Sequence, residues 1–166
     1  MRFRIRDGSV AILIAVGCAA AFGCGPKAKQ PPGATGPVTT TEHSLNPALI
    51  EPYLKIQSAL ATGSFDGVTA NAGRIATAAV ALGAPAAKID AAALRLAAAA
   101  DVTDARAKFG ELSNALVNYM TGLRLALPAG VRQAYCPMVG KPWLQEGSTL
   151  ANPYYGPEMP TCGEFR

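Results

Sequence analysis

Residues 65–82 read FDGVTANAGRIATAAVAL. Within this stretch Val68, Ala72, Ile75, Ala79 and Leu82 recur at spacings of four, three, four and three, the period of one face of a helix. Four of the ten residues between them are alanine, which favours helix and lets neighbouring helices approach closely. A stretch of this kind is a packing helix, opened by Ser64 or Phe65 and broken at Gly83-Ala84-Pro85.

The same period extends on both sides. Upstream, Asn46 suits a helix cap and Pro47 a first turn, and Leu49, Tyr53, Ile56 and Leu60 form an apolar stripe up to Gly63. Pro52 is positioned to shift or kink this first helix. Downstream, a third helix runs from about Ala86 to Ala100 with Ile89, Ala93, Leu96 and Ala100 facing inward. Asp101 or Thr103 caps a fourth, whose stripe is Phe109, Leu112, Leu116, Tyr119, Met120 and Leu123 and which closes at Pro128-Ala129-Gly130. Four helices with short connections predict an all-α, up-down antiparallel bundle over residues 44–130. The length after residue 44 suits one hydrophobic core.

Past Gly130 the period vanishes. Five prolines and four glycines between residues 137 and 163 forbid a long regular element. Yet Tyr135, Trp143, Leu144, Leu150, Tyr154, Tyr155 and Phe165 are dense there, so residues 131–166 read as an ordered, irregular tail folded onto the bundle. Asn152-Pro153 and Tyr155-Gly156 are turn material, and residues 132–136 and 148–151 are candidate short strands.

The tail also carries a pattern: Tyr135-Cys136-Pro137-Met138, Trp143-Leu144, Asn152-Pro153-Tyr154-Tyr155-Gly156, Met159, then Cys162-Gly163. It resembles the signature of the DUF3347 family, a periplasmic helical domain found alone or fused to adaptor subunits of heavy-metal efflux pumps. The likeness extends to Tyr53–Leu60 and Leu112–Leu116 and so spans about 47–163. It implies metal handling beside an efflux system. The segment Val139-Gly140-Lys141-Pro142 is shorter than many family members have, and the chain lacks the adaptor's other domains.

Two readings of the sulfur residues stay open. Cys136, Met138, Met159 and Cys162 are a thiolate and thioether set that suits Cu(I) or Ag(I) better than zinc. Alternatively, Cys136 and Cys162 form a disulfide that closes the tail, with the methionines as core filler and Trp143 as the plug. Loop closure of that size stabilises by roughly 3–4 kcal/mol. The module would then be structural or would dock a protein partner.

The front of the chain reads as an export signal. Arg2, Arg4 and Arg6 precede an apolar run from Val10 to Phe22, too short for a confident membrane span. Cys18 and Cys24 each follow a small residue, as in a bacterial lipoprotein box. Cys24 is the favoured lipidation site, because cleavage there leaves the apolar run behind. A secreted protein cut near Ala21 and a retained anchor are the alternatives. The expected organisation is a signal at 1–23, a lipidated tether at 24–43 rich in Pro, Gly and Thr, then the domain, on the outer membrane facing an oxidising periplasm.

Cleavage before Cys24 removes Arg2, Arg4, Arg6 and Asp7 and takes the formal net charge from +4 to about +2. No basic cluster remains to suggest nucleic acid. The single histidine, His43, lies at the tether's end and allows no Ser-His-Asp or Cys-His arrangement. Cys136-Pro137-Met138 is not a dithiol redox motif. The expectation is a monomeric, membrane-tethered, non-catalytic domain.

Overall fold

The computed structural model describes residues 43–166. The expected export signal, Cys18, Cys24 and the expected tether up to residue 42 lie outside the described residues. The chain runs through α1 (Pro47–Ala61), α2 (Val68–Leu82), α3 (Ala87–Ala97) and α4 (Val102–Leu123). The strands β1 (Val131–Cys136), β2 (Lys141–Glu146) and β3 (Glu164–Phe165) follow.

Each helix begins where local chemistry allows. The Asn46 side chain accepts from Ala48 N at 2.9 Å and Pro47 occupies the first position of α1. Pro52 sits inside α1 and is buried, yet the helix continues through it. At α4 the caps are reciprocal: Asp101 accepts from Asp104 N, and Asp104 accepts from Ala100 N, both at 2.9 Å. The Lys108 ammonium and that amide hold the Asp104 carboxyl below its usual range.

The predicted stripes are largely the core. Leu49, Tyr53, Ile56, Leu60, Val68, Ala72, Ile75, Ala79, Ile89, Ala93, Leu96, Phe109, Leu112, Leu116 and Met120 are all buried. The ends differ. α2 begins at Val68 rather than at Ser64 or Phe65, because Gly67 takes a left-handed turn before it. α3 stops at Ala97, which leaves Ala100 exposed in the link to α4. α4 ends at Leu123, with Arg124 left-handed, so Leu123 is exposed and 125–127 are not helical. Those residues run alongside the start of the domain instead: Ser44 bridges Ala126, and the Ala126 N–H donates to the His43 carbonyl.

The fold expectation stands in part: the four helices are present, and strands in the tail add a β element to them. The tail contains a three-stranded antiparallel sheet in the order β2-β1-β3. β1 matches the expected strand at 132–136, but 148–151 is not a strand. The partner is 141–146, where Ala134 faces Trp143 and Cys136 faces Lys141. Pro142 is tolerated because β2 lies on the sheet edge, where a missing N–H breaks no ladder.

Consecutive helices pack on one another, α1 on α2, α2 on α3 and α3 on α4. β2 packs on both α1 and α4. Trp143, Leu144 and Gln145 are consecutive and all buried, so both faces of β2 are covered. At this junction the Tyr53 hydroxyl lies 2.7 Å from Ser113 Oγ of α4 and accepts from Leu144 N of β2 at 3.1 Å. Burial raises its ionisation well above the ordinary phenol range. The rings of Tyr53, Phe109, Tyr154 and Trp143 form a chain of tilted and edge-on contacts with centroids 4.9–6.1 Å apart.

A buried amide left without its acceptor costs about 1–3 kcal/mol. Tyr53→Phe removes the acceptor of Leu144 N–H and the partner of Ser113 together. It is expected to lower unfolding free energy by about 2 kcal/mol in urea titration, and an unchanged midpoint contradicts the assignment.

Candidate functional site

The tail of the chain, Gly147–Gly163, folds over Trp143 and is held from two buried amide side chains. Gln145, at the end of β2, accepts at Oε1 from Trp143 Nε1 and from Ala151 N, both at 2.9 Å. Its Nε2 donates to the Thr149 carbonyl at 2.8 Å and to the Glu146 carbonyl at 3.2 Å. Gln57 of α1 adds a tie by donating to the Ala151 carbonyl at 2.7 Å.

Asn152 is the second hub and is fully buried. Its Oδ1 accepts from Tyr154 N at 2.8 Å and Tyr155 N at 3.3 Å, which folds Asn-Pro-Tyr-Tyr-Gly into a side-chain-closed turn. Its backbone N–H donates to the Pro160 carbonyl, and its carbonyl accepts from Gly156 N. Its Nδ2 donates to the Cys162 carbonyl at 2.6 Å and approaches Cys136 Sγ at 3.5 Å. One side chain therefore holds the turn, the Cys162 backbone and the Cys136 sulfur together.

Two glycines are required by space. Gly156 has φ +55°, and a Cβ there would meet the Arg106 guanidinium at 2.3 Å and the Leu60 carbonyl at 2.9 Å. Gly163 has φ +146°, and its Cβ would sit 2.6 Å from the Trp143 ring and 2.9 Å from the Tyr135 carbonyl. These contacts explain why the pattern has glycine at both places.

The structure thus gathers Cys136 and Cys162. Cys136, at the end of β1, has no solvent exposure, and Cys162, just before β3, is half-buried. Both are free thiols. Burial, and behind it the neighbouring Cys136 thiol, pushes the Cys162 thiol above its ordinary value. The two methionines differ. Met159 is half-buried beside Cys162, whose N–H donates to the Met159 carbonyl at 3.2 Å. Met138 lies on the turn between β1 and β2 and is 61% exposed. Pro137 is exposed on the same turn, and Pro153 and Tyr154 are buried. The Tyr154 hydroxyl donates to the Pro142 carbonyl. Tyr135 is half-buried under the Arg166 guanidinium, 4.4 Å from its ring centre. His43 is exposed at the start of the domain.

Among the described residues no three His, Cys, Asp or Glu side chains form a metal-holding group. The donor chemistry gathered here is two neighbouring thiols, with the Met159 and Met138 thioethers close to them in sequence and unequally exposed. That set fits a soft monovalent ion of low coordination number and not a tetrahedral zinc.

No family model, characterised protein or solved structure matches the chain.

The ties made by Gln57 and Gln145 were not anticipated from the sequence. Gln57 follows Tyr53 by four residues on the inner face of α1 and so had a positional signal. Gln145 had none.

The geometry predicts unequal thiol reactivity. In the native reduced protein, iodoacetamide is expected to label Cys162 well before Cys136. Asn152→Ala removes the closure of the turn and is expected to expose Cys136 to labelling and to cost about 2–3 kcal/mol of stability. Equal native labelling rates for the two thiols contradict the arrangement.

Proposed function

We propose that the chain is a soft-metal-handling domain in which Cys136 and Cys162 capture Cu(I) or Ag(I). The observation that carries this reading is that the Asn152 amide holds the Cys136 sulfur and the Cys162 backbone carbonyl together, which makes the two free thiols neighbours. Met159 adjoins Cys162. Met138 is a large apolar side chain held out in solvent on a tight turn, which suits a thioether that meets an arriving ion. The up-down helical arrangement, supported by the sequential packing of α1 to α4, acts as the rigid platform for the sheet.

The resemblance to the DUF3347 pattern supports a place beside a heavy-metal efflux pump. The front-end sequence supports a tether to the outer membrane by a lipid on Cys24, and the domain is proposed to be a monomer. Cys24→Ser is expected to move the protein from the membrane to the soluble periplasmic fraction, whereas Cys18→Ser leaves it bound. Release by Cys18→Ser alone overturns that assignment.

A second reading is favoured by the complete burial of Cys136. A thiolate in such a place is costly, whereas a disulfide is neutral. Cys136–Cys162 oxidation would make the domain a disulfide-pinned interaction module.

Intact-mass counting of alkylated thiols, followed by Cu(I) titration before and after reduction, separates the two. The metal reading expects one tightly held copper per reduced chain, lost in Cys136→Ser and weakened at least tenfold in Met138→Leu. No free thiols and no tight copper in either state would leave the disulfide module.

A further inference from the structure

A cavity of about 370 Å³ opens between α4 and the β1–β2 turn, apart from the sulfur pair. Thr103, Arg106, Ala107 and Gly110 line it from α4, Val139 and Lys141 from the turn and β2, and Tyr154 from the tail. Its size is that of a small-molecule site.

Its charge is one-sided. Two cationic residues, Arg106 and Lys141, line the space, and among the described residues no carboxylate does. The ion pairs among the described residues are Arg95–Glu111, Lys108–Asp104 and Arg166–Glu164, which leave both cations without an acidic partner. Arg106 Nε is sealed from solvent with no hydrogen-bond partner, the single buried side-chain polar atom so left among the described residues. Nε itself cannot be reached from the open cavity, so only the rest of the Arg106 side chain is available to a ligand there.

Thr103 adds a hydroxyl, and the remaining walls are apolar: Ala107, Val139 and the Tyr154 ring. Gly110 keeps the cavity's base low, since a Cβ there would press on the Lys141 stem at 3.3 Å and the Tyr154 ring at 3.5 Å. A guanidinium accepts a carboxylate in a two-pronged geometry, while an ammonium adds a point charge. We infer that this cavity is a binding site for a small organic carboxylate with a short apolar or aromatic body, its charge held by Arg106 and Lys141.

Benzoate is the probe, with inorganic phosphate for comparison, titrated into the full processed chain and followed by amide chemical shifts. Benzoate is expected to shift the amides of residues 103–110 and 139–141 in a saturable way. Lys141→Gln and Arg106→Gln are each expected to weaken it about tenfold. Phosphate, lacking the apolar body, is expected to bind at least tenfold more weakly. Absence of saturable shifts overturns the proposal, as does benzoate binding unchanged in a Lys141→Gln protein of normal thermal stability, or phosphate binding as tight as benzoate. If Arg106→Gln fails to fold, the Lys141→Gln result decides.

Discussion

The structure depends on one buried hydroxyl. Tyr53 of α1 reaches across to Ser113 of α4 and to the Leu144 amide of β2. Its oxygen accepts from Leu144 N, and in the contact with Ser113 either hydroxyl can be the donor. Three elements far apart in sequence meet at an oxygen with no access to water. β2 is one of the two edge strands of its sheet, and such an edge presents unpaired amides that other chains can pair with. Tyr53 satisfies one of those amides from within the molecule. The sheet is thereby part of the core, with α1 and α4 as its walls.

From that junction the tail follows outward. Trp143 is neighbour to Leu144, and Gln145 holds the Trp143 indole and the returning chain at Ala151. Asn152 then closes the next turn and holds Cys162 over Cys136. Each amide side chain answers several backbone groups that the irregular path leaves without a ladder. An irregular segment of this length is ordered because its polar groups are satisfied from buried side chains. The sulfur pair is a product of that order, since the Cys162 backbone and the Cys136 side chain share the Asn152 amide.

The helices were legible because alanine-rich segments with a 3.6 period allow few alternatives. The stripe from Leu49 to Leu60 and that from Phe109 to Met120 were read with the right inward residues. Their ends were less so: Gly67, Ala98 and Arg124 set boundaries through backbone conformations that periodicity does not encode. The sheet was half legible. Val131–Cys136 has strand composition, but Lys141–Glu146 carries Pro142 and is buried on both faces, so it shows no alternation. Its pairing is fixed by the tight turn at Pro137–Gly140, where the Gly140 N–H donates to the Cys136 carbonyl. The site residues were visible as a pattern, yet the pattern gave no hint that Met138 points away from the core while Cys136 is sealed within it.

The central claim is that two thiols brought together by the tail hold a soft metal. Its most direct test is X-ray absorption at the copper edge of the reduced, Cu(I)-loaded protein. The account predicts a sulfur-only first shell of two or three donors at one copper per chain, with one sulfur lost in Cys162→Ser. Nitrogen or oxygen donors in the shell, or a spectrum unchanged by that substitution, would contradict it.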